Sequence, residues 1–427
     1  MSETALYARL TGADEMPGEA EARNGLRHVA AQTLNKLADG LLDPKLVLSW
    51  LLGAMGAQGA LIGALVPVRE AGALLPQLAL ARVLQRLPGR KRFWAAGAAI
   101  QGLAAIAIAL AALSLDGAAG GLAVVAALAL LSVARAACSL SHKDAVADSV
   151  PKRRRGAVTG AGTSIAAAAV FAFGAGLATG VLPLTVTTVA GAAVLAGLAW
   201  LAAAAVFLTL DEIARETEHT RGEALRTLLA PLRQDAALRR FIAVRGCLTV
   251  TALAPPFLVM AEQGRMGASE PPGLASLGPL VLASAAASIS SGYLWGRVAD
   301  RSSRWALIAA GGLSALVLGV GAALGFLTGG LGGLSGAVAL MFLAQLAYGG
   351  VRQGRKVHLT DMATRETRAG HTALANTVIG IVLLAGGLLG LLADAAGPAA
   401  VLALSAALAA LGAYLALGLD EVQAGAD

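Results

Sequence analysis

The residues best equipped for chemistry in this chain are charged and stand where charge is costly. Between positions 28 and 51, in a stretch otherwise fit to be a buried helix, lie Gln32, Asn35, Lys36, Asp39 and Asp43. Steps of three and four put them on one stripe of that helix. Lys36 and Asp39 are one turn apart and can partly neutralise each other. A carboxyl near the middle of an apolar helix is suited to taking up and releasing a proton. Asp39 is the first candidate for that work, ahead of Glu70 and Asp43, because Asp43 lies one turn nearer the helix end, just before Pro44. The alternative is a fixed Lys36–Asp39 ion pair with no proton traffic, and the sequence leaves both open.

Two further stretches carry the same kind of residue. Arg69 and Glu70 follow Pro67 near the centre of 57–81. Neighbours on a helix point about 100° apart, so one should face a central space and the other a neighbouring helix. Ser132, Arg135, Ser139, His142 and Lys143 form a polar stripe, as do Gln345, Tyr348, Arg352, Arg355 and Lys356. Arg135 lies deepest of the basic members. Its guanidinium offers a two-pronged grip on an anionic group. Asn35, Lys36, Arg69, Arg135, Gln345, Tyr348 and Asn376 are therefore the candidates for contact with a solute. No Gly-rich nucleotide loop, nucleophile elbow or metal-ligand spacing is present. An enzyme is not expected, and neither is a cofactor.

The elements that must position these groups are membrane helices. The chain is 57% hydrophobic and 14% charged, with a mean hydropathy of +0.71, too apolar for a soluble protein of this length. About 20 apolar residues cross a bilayer. Twelve segments qualify: 28–51, 57–81, 93–114, 119–141, 157–180, 187–210, 240–262, 273–295, 305–327, 332–351, 372–393 and 397–418. We refer to them as spans one to twelve. Residues 1–27 are polar and read as a poorly ordered cytoplasmic tail, 211–239 as a polar middle loop with a helix-compatible pattern, and 419–427 as a second tail. Cys138 and Cys247 both fall inside apolar runs, so a disulfide framework is not expected.

Basic residues fall on one side. Arg82, Arg90, Lys91 and Arg92 follow span two, Lys152 to Arg155 follow span four, Arg297, Arg301 and Arg304 follow span eight, and Arg355, Lys356 and Arg368 follow span ten. The loops of the other side hold only Arg265. By the positive-inside rule, the basic loops and both termini face the cytoplasm. Topology thus accounts for the net charge of +7, and nucleic-acid binding is not required to explain it.

The second half repeats the first about 213 residues on. Lys143, Asp148 and Arg155-Gly156 recur with the same spacing as Lys356, Asp361 and Arg368. Leu42-Asp43-Pro44-Lys45 aligns with Ala254-Pro255-Pro256-Phe257, and the loop Arg86 to Arg90 with Asp300 to Arg304. Duplicated halves in the same order place a site at their interface. The fold class is therefore all-α, with an N-terminal six-helix bundle over 28–210 and a C-terminal one over 240–418.

Two parallel six-helix halves joined by a cytoplasmic loop resemble the major facilitator superfamily. The run Gly296-Arg297-Val298-Ala299-Asp300-Arg301-Ser302-Ser303-Arg304 resembles that superfamily's loop motif between spans eight and nine. In the first half Arg86 stands where the motif has Asp. Span five, with Phe173-Gly174-Ala175-Gly176-Leu177 and no Pro, lacks the superfamily's antiporter signature. The resemblance implies a transporter scaffold with gating loops. Candidate cytoplasmic gate residues are Asp148, Arg155, Gly296, Asp300, Arg301, Arg304, Asp361 and Arg368.

The function expected is secondary active transport of a small anionic or zwitterionic solute, coupled to H⁺, by a monomer in a bacterial-type inner membrane. Two alternatives remain: a proton-driven exporter of amphipathic compounds, and a non-transporting sensor or assembly protein on the same scaffold.

Overall fold

The computed structural model describes residues 2–11, 17–85, 87, 89–151, 154–211, 232–265, 277–363 and 368–422. Every regular element among them is a helix. Ten helical runs are long and apolar enough to cross a membrane, and they correspond to spans three to twelve. The first two of the twelve expected spans fall short of that measure because each is broken and carries charge. Span one is the pair Glu19–Leu41 and Val47–Ala54, and span two is Gly59–Leu74 and Gln77–Gln85.

The breaks have local causes. Asp43 Oδ1 accepts the backbone N–H groups of Lys45 (2.9 Å) and Leu46 (3.1 Å), which turns the chain at Pro44 before the helix restarts. Pro76 has no N–H to continue the ladder of span two. Span seven is Ala236–Leu248, Val250–Leu253 and Pro255–Arg265, broken at Thr249 and again before Pro255-Pro256. The breaks at Pro44 and at Pro255 fall at matching positions of the two copies.

Small residues set the packing. Spans three (Lys91–Ser114) and six (Val186–Leu208) cross where a Cβ on Gly102 would stand 2.7 Å from the Gly197 carbonyl oxygen. No larger residue fits that approach, and close backbones of this kind drive helix association in lipid. Span six buries Ala193, Ala196, Trp200 and Phe207 on one face and exposes Leu195, Leu198 and Leu208 on the other. Between the halves, span one packs on seven, two on eleven and five on eight.

The N-terminal tail differs from expectation. Residues Glu3–Thr11 form a helix, and the helix of span one already begins at Glu19. Tyr7 is wholly buried, its ring lying where a Cβ on Gly25 would be. Burial, together with nearby Glu21, pushes the Tyr7 phenol up to about 12. Glu21 also pairs with Arg154 at 2.7 Å. Arg23 (2.8 Å) and Arg27 (3.4 Å) reach Asp211, and the Arg23 hydrogen bond holds that carboxyl below its usual range. These contacts tie the start of span one to the end of span six. The helix-compatible part of the middle loop, 212–231, lies outside the described residues.

Candidate functional site

Asp39 stands at the centre of the charged interior. Arg69 of span two donates to Asp39 Oδ1 at 2.5 Å, and Arg135 of span four (Gly117–Ser149) makes a second ion pair with the same oxygen. Lys36 lies 3.7 Å from the other carboxylate oxygen. Three helices of the N-terminal half are thus locked through one carboxylate. Such a cluster specifies the arrangement of those helices more than it stabilises them, because desolvating the charges offsets much of their attraction.

Beside the cluster lies a cavity of about 200 Å³ between the halves. Asp39, Asp43, Lys45, Arg69, Glu70 and Arg135 line it from the first half, and Ser284, Ser288, Ser291, Gln345, Tyr348 and Arg352 from the second. A smaller cavity of about 40 Å³ shares Glu70 and Tyr348 and adds Arg245, Thr249, Thr251 and Arg355. The Lys45 ammonium sits 3.3 Å from the centre of the Tyr348 ring, and the Arg352 guanidinium 5.9 Å from it. Both contacts join cation to aromatic ring, and the first crosses between halves.

Away from the basic loops, the two halves close on each other. Asp394, in the second helix of span eleven (Leu389–Ala396), accepts the backbone N–H groups of Gly59 and Ala60, each at 2.7 Å. It thereby caps the N-terminus of span two from the opposite half. A Cβ on Gly63 would stand 2.5 Å from Gly390 Cα, so spans two and eleven touch backbone to backbone at this end. Spans five (Arg155–Ala178) and eight (Leu277–Arg301) do the same, since a Cβ on Gly278 would meet the Ala178 nitrogen at 2.3 Å.

Residues 29–351 match the profile of the Major Facilitator Superfamily. The chain belongs to that superfamily. Among solved structures it is similar to a single-residue variant of the nucleoside transporter NupG, with a TM-score of 0.68, 13% identity, 93% of this chain and 100% of the other covered. A POT family transporter in complex with a thioalcohol-conjugated peptide gives 0.67 at 10% identity, covering 96% and 97%. The xylose transporter XylE from E. coli, in an inward open conformation, gives 0.67 at 11% identity, covering 92% and 95%. No curated protein matches the chain by sequence. Identities this low establish the fold and leave the solute open.

Several expected positions of this superfamily member fall away from the cavity. The stripe on span one divides between neighbours. Trp200 Nε1 donates to Asn35 at 2.9 Å, and Gln32 pairs with His142, so both serve packing within the first half. Lys36 does not line the cavity either. Asn376 accepts from Arg245 at 2.9 Å and lies 3.5 Å from Gln77, outside both cavities. Arg69 and Glu70 both line the larger cavity, where only one of them was expected to, and Arg69 also reaches Asp39 of span one. Gln345, Tyr348 and Arg135 line the larger cavity.

Sequence reasoning missed Lys45, Arg352 and the serines as site residues. Ser284, Ser288 and Ser291 recur at steps of four and three on span eight, a polar row that was a usable signal. Arg352 belongs to the polar stripe of span ten but was not among the solute candidates, and it lines the cavity.

The gate positions lie in the loops and helix ends of the basic side. Arg155 donates to the Val150 carbonyl at 2.9 Å, and Arg304 to the Leu417 carbonyl at 2.6 Å, each within its own half. Asp148 borders a small crevice with Lys91 and Asp211. A Cβ on Gly296 would meet nothing within 4 Å. Arg301 ends the helix of span eight, and Asp361 lies in the last turn of span ten (Gly333–Met362). The side chains of Asp300 and Arg368 lie outside the described residues.

Proposed function

We propose that this protein is a secondary active transporter that moves a small polar solute by alternating access. The observation that carries this reading is the charged cavity between the halves, beside a contact surface sealed by Asp394 on the face away from the basic loops. At about 200 Å³ it is below the 300–1,000 Å³ typical of sites for drug-sized ligands. Its polar lining speaks against an exporter of amphipathic compounds. The positive-inside pattern supports a cytoplasmic membrane location with both termini inside. The sealed face is then external and the form is inward-facing.

Protons are the proposed coupling ion, with Glu70 in place of Asp39 as the carboxylate that exchanges them. Asp39 is held by three cations. Glu70 borders both cavities and forms no hydrogen bond or ion pair among the described residues. A carboxylate whose charge is already committed is a poor shuttle, whereas one facing a cavity can gain and lose a proton in turn. The Asp39 cluster, being a fixed set of pairs, is what a non-transporting scaffold protein would also have. The cavity beside it favours transport.

The test is solute-driven proton movement in proteoliposomes carrying an internal pH dye, using a mixed panel of organic acids, amino acids and sugars. Some solute should change the internal pH with the parent protein. With Glu70→Gln that proton signal should vanish while solute exchange down its gradient continues. If no solute crosses, the transport reading fails. If Glu70→Gln keeps the parent's proton signal, the coupling role fails.

A further inference from the structure

The cations around the two cavities outnumber the carboxylates six to three. The carboxylates are also unequally engaged. Asp39 is spent on Arg69, Arg135 and Lys36, and Asp43 on the two backbone N–H groups of the span-one turn. Glu70 alone remains to balance Lys45, Arg352, Arg355 and Arg245, and none of these forms an ion pair among the described residues. Lys45 is the most telling of them. The residue is only 6% exposed, and its ammonium lies over the Tyr348 ring with no hydrogen bond or ion pair among the described residues, the Asp43 and Glu70 carboxylates acting on it from beyond pairing distance. A buried cation with no acceptor is costly unless something else supplies one. Arg352, by contrast, is exposed and lines the same cavity, 5.9 Å from the centre of the Tyr348 ring.

We propose that the solute is a small organic oxyanion, its carboxylate or phosphate group held between Lys45 and Arg352 beside the Tyr348 ring. Lys45 comes from the break in span one and Arg352 from span ten. One anionic group would therefore bridge the two halves. The serine row of span eight faces the same space and can accept or donate to the rest of the molecule. The cavity volume confines the solute to a compact skeleton. This assignment rests on reading the cavity as the solute site of a transporter.

The test is isothermal titration calorimetry on the full chain in lipid nanodiscs, without any gradient. The probes are succinate and inorganic phosphate, with 1,4-butanediol as neutral and 1,4-diaminobutane as cationic counterparts. At least one oxyanion should bind, and more tightly than either counterpart. Whichever of the two binds better identifies the group as carboxylate or phosphate. Lys45→Met and Arg352→Gln should each weaken that binding roughly ten- to a hundredfold, the range of a lost charged hydrogen bond. Arg352 is exposed, so its replacement reports binding even if Lys45→Met folds poorly. Failure of both oxyanions to bind, equal or tighter binding of the diol or diamine, or undiminished binding by Arg352→Gln would each overturn the assignment. The two readings fail separately. Oxyanion binding without flux of any solute removes transport and keeps the anion site. Flux of a neutral solute alone does the reverse.

Discussion

At the residue scale, Asp39 is the keystone of the first half. Removing its charge leaves Arg69 and Arg135 facing each other without the carboxylate that pairs them, and Arg69 is only 8% exposed. Breaking a buried pair in this way costs about 3–5 kcal/mol, and cavity water will hold the figure near the lower end. Lys36 is 39% exposed and 3.7 Å away, so its loss belongs with surface pairs, at about 0–1 kcal/mol. Asp39→Asn should therefore lower the thermal midpoint of the detergent-solubilised protein well below that of the parent, and Lys36→Gln should barely move it. Equal midpoints for the two variants would remove the keystone role. The participants in this cluster were legible, because ionisable residues inside apolar helices stand out and seldom lack a partner. Their pairing was not. Asn35 sits about 60° around the helix from Gln32, enough to reach Trp200 instead of the cavity. Gln32 lies about two turns nearer the basic loops than Asp39, level with His142. One stripe serves three neighbours at different heights, and periodicity carries no information about height.

At the element scale, the seal away from the basic loops depends on glycine contact and one helix cap. Gly390 lies against span two so closely that an added Cβ would be 2.7 Å from both Ala60 Cα and the Gly59 carbonyl oxygen. Gly390→Val must force spans two and eleven apart at that end. Asp394→Ala removes the cap instead, worth about 1 kcal/mol for a typical N-cap. A change of that size shifts a two-state ratio about fivefold. Spin labels on Gln58 and Ala395, both exposed beside the seal, would report the opening by electron–electron resonance. Both variants should raise the population at longer distance, Gly390→Val more than Asp394→Ala. An unchanged distance distribution in both would show that the seal lies elsewhere. Spans one and seven read as continuous, although Pro44 and Pro255-Pro256 mark where the chain breaks. Asp394 could not be read as a cap, because a lone acid at the end of an apolar span reads as a solvated loop residue. Its partners are backbone N–H groups 335 and 334 residues away, and backbone has no sequence signature.

At the scale of the whole molecule, the duplication explains why the site is shared between halves. Each half presents its broken first helix and its charged fourth helix inward, span seven to the smaller cavity and the others to the larger, where Lys45 and Arg135 face Tyr348 and Arg352. On the proposed transport reading, rocking of one bundle on the other would change access to that cavity without rebuilding it. Access should consequently be one-sided in the form described, from the face of the basic loops. Ser288 tests this, because it is exposed, lines the cavity and differs from cysteine by one atom. Cys138 and Cys247 are first replaced by alanine to leave a single thiol. In oriented membranes, a membrane-impermeant maleimide should label Ser288→Cys from the basic-loop side and much less from the other. Adding Gly390→Val should reverse the preference, because the wedge opens the face that Asp394 seals. The reversal is the discriminating result. A cavity that merely leaks would label from both sides in both backgrounds, and a rigid scaffold with a trapped pocket would respond to neither substitution. Only two bundles moving about a common site make one mutation, far from the thiol, exchange the side from which it is reached.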